Sequence, residues 1–158
     1  MQKHQLYSWA AVLLWMALIF TLSHQPAIES SQLSSGITEM VIAVLRNFMS
    51  DAREHVDLLQ HIVRKNAHFL IYLVLGMLTL YALRTGGSRG IRCSLAAFGI
   101  CALYAMTDEF HQLFIDGRSG QVSDVLIDSS GALIGIAAFL WCRRLLKANR
   151  KKEKIIHS

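Results

Sequence analysis

A single proline in 158 residues leaves the chain almost without its strongest helix breaker, and charged residues make up only 17% of it. Proline-rich and intrinsically disordered classes are thereby excluded, because each is defined by more breaker or polar residues than this chain holds. Cysteine is scarce as well. Cys93, Cys101 and Cys142 are odd in number and show neither CxxC spacing nor a nearby histidine partner. They imply no disulfide framework and no zinc finger. The period-2 alternation of a transmembrane barrel is missing, and no internal repeat or low-complexity segment is visible.

What the chain does have is apolar length. Hydrophobic residues form 53% of it, gathered into four long uncharged stretches: 5–23, 67–83 interrupted only by His68, 93–107, and 125–142 with Asp128 inside it. A bilayer core of ~30 Å needs roughly 20 helical residues, and backbone groups within it are satisfied only in a helix or closed barrel. The expectation is an all-α, polytopic membrane protein. It is one domain over residues 1–158, a bundle of four transmembrane helices near 5–23, 64–83, 92–112 and 124–142, with a basic cytoplasmic tail from 143 to 158. The first stretch reads as a span rather than a cleaved signal, since no small-x-small site follows it.

Alternating spans put both termini and the loop at 84–92 on one side. That side holds Lys3, Arg84, Arg89, Arg92, Arg143, Arg144, Lys147, Arg150, Lys151, Lys152 and Lys154, eleven of the 16 basic residues, and only Glu153 of the 11 acids. By the positive-inside rule it is cytoplasmic. The basic tail is a membrane anchor attracted to anionic lipid rather than a nucleic-acid binder. Between spans one and two, Ile37, Met40, Val41, Val44, Leu45 and Phe48 recur at helical spacing and predict an outer amphipathic helix. A second polar-to-apolar helix from about residue 51 runs into span two. The loop after span three carries Asp116, Gly117 and Gly120, which fits a compact capping turn.

Helix rise, ~1.5 Å per residue, converts sequence distance into depth. Twenty residues back from Arg84 lie Arg64 and Lys65; twenty forward from Arg92 lie His111 and Gln112; nineteen back from Arg143 lies Asp124, with Asp128 one turn deeper. Arg64, Lys65, His68, Asp108, Glu109, His111, Asp124 and Asp128 therefore share one layer at the outer boundary. Residues three and four apart share a face, giving the stripes Arg64, His68, Tyr72, Gly76 on span two; Tyr104, Asp108, His111, Gln112 on span three with Glu109 one position aside; and Asp124, Asp128, Gly131, Gly135 on span four. Ionisable groups in membrane helices are costly unless they face the bundle interior, so these stripes should face one another around a polar pocket.

His68, Asp108, Glu109, His111, Asp124 and Asp128 are the candidates for acid–base chemistry, which a histidine beside carboxylates supports near neutral pH. Arg64, Lys65 and Arg118 form a cationic cup suited to phosphate, with Tyr72, Tyr104 and Gln112 completing a substrate-binding set. The Asp and His side chains could also take a divalent metal, but their spacing is nonspecific, so no metal or cofactor is assigned. No nucleophile elbow surrounds Ser119, Ser123 or Ser129. The expected partner is a membrane lipid or lipid-linked envelope precursor with an anionic headgroup, not nucleic acid. Enzyme and binder remain alternatives; an ion-coupled transporter is weaker, because the cytoplasmic helix halves are nearly all apolar.

Three motifs then resemble a known family. R-K-x-A-H-F-x-x-Y at Arg64, Lys65, Ala67, His68, Phe69 and Tyr72, Y-A-x-x-D-E-x-H-Q-x-F from Tyr104 to Phe114, and G-R-x5-D-V-x-x-D-x-x-G from Gly117 to Gly131 are similar to the VanZ-like family, as is the SHQP element at Ser23 to Pro26. The resemblance implies a small multi-pass protein of the bacterial inner membrane, related to a determinant of low-level resistance to the glycopeptide teicoplanin. It also implies importance for Arg64, Lys65, His68, Asp108, Glu109, His111, Arg118, Asp124 and Asp128.

Overall fold

A computed structural model describes residues 2–26, 36, 56–118 and 120–156, and these are all-helical with no strand among them. Helix α1 spans Gln2–Ser23, α2 Val56–Thr85, α3 Ile91–Gln112 and α4 Val122–Ile156. Each is long and apolar enough to cross a membrane. Helix α2 runs unbroken from Val56 into its apolar stretch, and the basic end of the chain forms the last turns of α4. The amphipathic helix expected around residues 37–48 lies outside the described residues.

Side-chain pairings fix the helix directions. Between α1 and α2, Trp15 Nε1 donates to the Ile71 carbonyl while Ser8 meets Thr85, so one helix rises as the other descends. Tyr72 with Asp108 and Thr79 with Cys101 give the same antiparallel relation between α2 and α3. Along α1 and α3 the numbers climb together, Met16 with Tyr104 and Ser23 with Asp108, so those two run parallel. Helices α2 and α4 are parallel too: Lys65 meets Asp124 and His68 meets Asp128. The bundle alternates up and down, and Ser23, Lys65, His68, Asp108, Asp124 and Asp128 collect at one end.

Among the described helices the α2–α4 contact is the tightest. Cβ atoms added at Gly131 and Gly135 would collide with the backbone carbonyls of Phe69 and Leu73, and one at Gly76 with that of Ala132. The two backbones approach this closely because no side chain stands between them, the small-xxx-small mode of membrane helix packing. Beneath the polar end, Val12, Ile19, Tyr72, Leu75, Cys101 and Ala105 form a dry core, continued toward the arginine-rich end by Leu80, Cys93, Ala97 and Ile136. Large apolar side chains also cover the outside, Leu14 at 72% exposure, Leu103 at 65%, Leu126 at 66% and Trp141 at 65%. An outer surface of this kind belongs in lipid rather than water. The three cysteines are free.

Glycine substitutions should separate seam from surface. Gly135→Ala is expected to destabilise the bundle by about 1–3 kcal/mol through overpacking, measured by unfolding in mixed detergent micelles. Gly99→Ala, where nothing lies within 4 Å of the added Cβ, should instead be neutral or stabilise by up to about 1 kcal/mol, because alanine is the better helix former.

Candidate functional site

The close α2–α4 approach ends at a polar cleft. Residues 113–118 and 120–121 fold back over the end of α3: Gly117 takes a positive φ of 73°, and Gly120 lies against the carbonyl of Glu109. That return leaves a cavity of about 80 Å³ walled by α2, the end of α3, the loop and the start of α4. A space of this size admits several water-sized groups or a small polar headgroup.

Eight of the twelve sequence-predicted site residues line it: Arg64, Lys65 and His68 from α2, Glu109 and Gln112 from α3, Arg118 from the loop, Asp124 and Asp128 from α4. Lys65 Nζ stands 2.7 Å from Asp124 Oδ1, both side chains about a quarter exposed. Deeper in, His68 Nδ1 is 3.7 Å from Asp128 Oδ2, and the Asp128 side chain is fully buried. Glu109 is held at both oxygens: Gln112 Nε2 donates to Oε1 at 3.2 Å and the Gln121 backbone N–H to Oε2 at 3.0 Å. Gln112 in turn accepts from Arg118 Nη1 at 3.4 Å. The pocket thus has a carboxylate-rich floor and a cationic rim.

Arg118 has a double role. Its Nε donates to the Gln25 carbonyl at 3.0 Å and its Nη2 to the Leu22 carbonyl at 3.3 Å, so it ties the end of α1 to the loop. Burial, and then the nearby Arg64 guanidinium, pull Arg118 below its ordinary pKa against the opposing pull of Asp108 and Glu109. An arginine remains cationic under such a load. Two guanidiniums facing one space favour an anion between them. Among the described residues Arg64 meets His61 Nδ1 at 3.4 Å and no carboxylate within ion-pair distance.

Tyr72, Tyr104, Asp108 and His111 do not line the cavity. Asp108 Oδ2 accepts from Ser23 Oγ at 2.8 Å and from the Tyr72 hydroxyl at 3.4 Å, buried where α1, α2 and α3 meet. The Tyr104 hydroxyl donates to the Met16 carbonyl at 2.6 Å. His111 Nε2 lies 3.0 Å from His24 Nδ1, with Phe20 packed against its ring. Helix α3 is therefore turned by about one position from the stripe read in the sequence. Because α3 sits between α1 and α4, its polar residues divide over two interfaces: Glu109 and Gln112 face α4 and the loop, while Tyr104, Asp108 and His111 face α1.

His61 and Gln121 also line the cavity and were missed. His61 precedes Lys65 by one turn, and that i,i+4 spacing could have found it. The Gln121 contribution is a backbone N–H, which leaves no mark in side-chain patterning.

Together these features define a multi-pass membrane protein with a buried polar site at one end of its helix bundle. The chain belongs to the VanZ/LLP1 family, whose model matches residues 8–143 and so takes in α2 and α3 whole, most of α1, the first part of α4 and every residue of the site. No curated protein and no solved structure matches the chain.

The Ser23–Asp108 bond predicts a specific cost. Ser23→Ala removes the shorter donor to a buried carboxylate and should destabilise by about 1–3 kcal/mol. Asp108→Asn in the same chain should recover part of that loss, a non-additivity read by a double-mutant cycle of unfolding free energies.

Proposed function

We propose that the cavity holds the phosphate-bearing headgroup of a membrane lipid or lipid-linked envelope precursor at the outer face of the bacterial inner membrane, with both termini cytoplasmic. The observation that carries this reading is the rim, where Arg64, Lys65 and Arg118 border one small space and only Lys65 is paired with a carboxylate among the described residues. Guanidinium groups bind phosphate bidentately and an ammonium adds a point charge. Exposed Ile62, Phe114 and Val122 near the cleft supply apolar surface for the acyl or prenyl part of such a ligand. The basic residues gathered at the opposite end of the bundle support the orientation.

A link to glycopeptide resistance runs, on this reading, through the envelope. A protein that sequesters or alters an anionic precursor changes the surface the antibiotic meets. A catalytic version of the same reading is favoured by the side chains beneath the rim, since His68, Glu109 and Asp128 bring an imidazole and two carboxylates to the space a bound phosphate would occupy.

Two measurements check these points. Native mass spectrometry of the detergent-solubilised chain should show retention of phosphatidylglycerol or a polyprenyl phosphate over phosphatidylcholine. Arg64→Gln should weaken that preference by roughly 10- to 100-fold, the worth of one charge-assisted hydrogen-bond pair. Equal retention of neutral and anionic lipid would sink the anion reading. For orientation, a cysteine at position 65 should react with an impermeant thiol reagent added outside intact cells, and one at position 150 only after permeabilisation.

A further inference from the structure

We infer that His68, Glu109 and Asp128 form a binding site for one divalent transition-metal ion at the floor of the cavity. The three come from three different helices, α2, α3 and α4, and present one ligand atom each, all within 4.8 Å of one another. The sequence spacing carries no metal motif; only the packing of the bundle assembles the set.

The second observation is the state of Asp128. Its side chain is fully buried, it lines the cavity, and neither carboxylate oxygen has a hydrogen-bond partner among the described residues. Its nearest cationic partner, His68 Nδ1 at 3.7 Å, is beyond hydrogen-bonding distance. Buried carboxylates are ordinarily hydrogen-bonded, paired or bound to metal, because a desolvated unpaired charge is costly. The neighbouring groups do not relieve it: Lys65 is engaged by Asp124, and Arg118 by Gln112 and the carbonyls of Leu22 and Gln25. Arg64 also borders the cavity, but its contact is with His61 Nδ1 and it forms no ion pair with Asp128. Within the three-residue set one imidazole stands against two carboxylates, a donor set suited to a divalent cation.

Donor chemistry narrows the ion. One imidazole nitrogen and two carboxylate oxygens suit zinc or manganese better than calcium or magnesium, which prefer all-oxygen sets. Bonds of ~2.0–2.2 Å place neighbouring donors roughly 3–3.5 Å apart, so side-chain adjustments of about 1 Å close the set around an ion. Glu109 is already oriented by Gln112 and the Gln121 N–H, the outer support that metal-binding carboxylates commonly have. Three protein ligands leave coordination positions open toward the cavity. There a phosphate oxygen could bridge the metal below and the guanidiniums above; that bridging role rests on the anion reading, whereas the metal site itself does not.

The test uses the metal alone. The full chain, purified into phosphatidylcholine nanodiscs and stripped with EDTA, is dialysed against Zn²⁺ or Mn²⁺ and counted by inductively coupled plasma mass spectrometry. About one ion per chain is expected for the unaltered protein and for Asp116→Asn, an exposed acid outside the cavity. Asp128→Asn, Glu109→Gln and His68→Gln should each weaken binding by about 100-fold or more, since loss of an outer partner alone costs 10- to 100-fold. Co²⁺ absorption bands should shift in His68→Gln if the imidazole is a ligand. Should Asp128→Asn not fold, Glu109→Gln and His68→Gln decide the matter. A substoichiometric ion in the unaltered chain, or one bound unchanged in the variants that fold, overturns the site and leaves the anion reading to its own lipid-binding test.

Discussion

The backbone contact between α2 and α4 is the constraint on which the rest depends. These helices are parallel and far apart in sequence, and Gly131 and Gly135 let α4 rest on the carbonyls of Phe69 and Leu73. In a bilayer there is no hydrophobic drive to bring helices together, so packing this close supplies much of the association. It also sets register. With those glycines on those carbonyls, one turn toward the polar end brings Asp128 to His68 and Asp124 to Lys65.

The polar layer divides by function of position. On the α1 side it is a dry lock: Ser23 and Tyr72 satisfy one oxygen of Asp108, Tyr104 binds the Met16 carbonyl, and His24 meets His111. On the α4 side it stays open, because the loop after α3 arches over it instead of filling it. Arg118 belongs to both, since its guanidinium borders the cavity while holding the carbonyls of Leu22 and Gln25. The SHQP element joins the two sides. Three of its residues, Ser23, His24 and Gln25, each contact a different polar partner from the Asp108–Arg118 stretch.

Much of this was legible in the sequence because depth is a linear quantity. Uncharged length gave the four spans, and a fixed rise per residue delivered Arg64, Lys65, Glu109, Asp124 and Asp128 to one level. Rotation was less legible. The glycine pattern of α4 marks its packing face unambiguously, but α3 has polar groups on adjacent positions and neighbours on both sides, so Asp108 and Glu109 part company only once α1 is in place. At the end of α1 only the family-like SHQP element marks the place in the sequence; the roles of Ser23 and of the Leu22 and Gln25 carbonyls follow from the packing. The Gln121 N–H on Glu109 is equally invisible, arising from the fold of a loop rather than from a side chain.

The central claim is that α2 and α4 run side by side and bring positions 65 and 124 together at one end of the bundle. A chain with Cys93, Cys101 and Cys142 replaced and cysteines introduced as Lys65→Cys and Asp124→Cys, treated in native membranes with a short bis-maleimide, tests it directly. Efficient crosslinking within one chain, with none for Lys65→Cys paired with Arg143→Cys, is the predicted result. Failure of the 65–124 pair to crosslink while both cysteines still react singly with maleimide would contradict it.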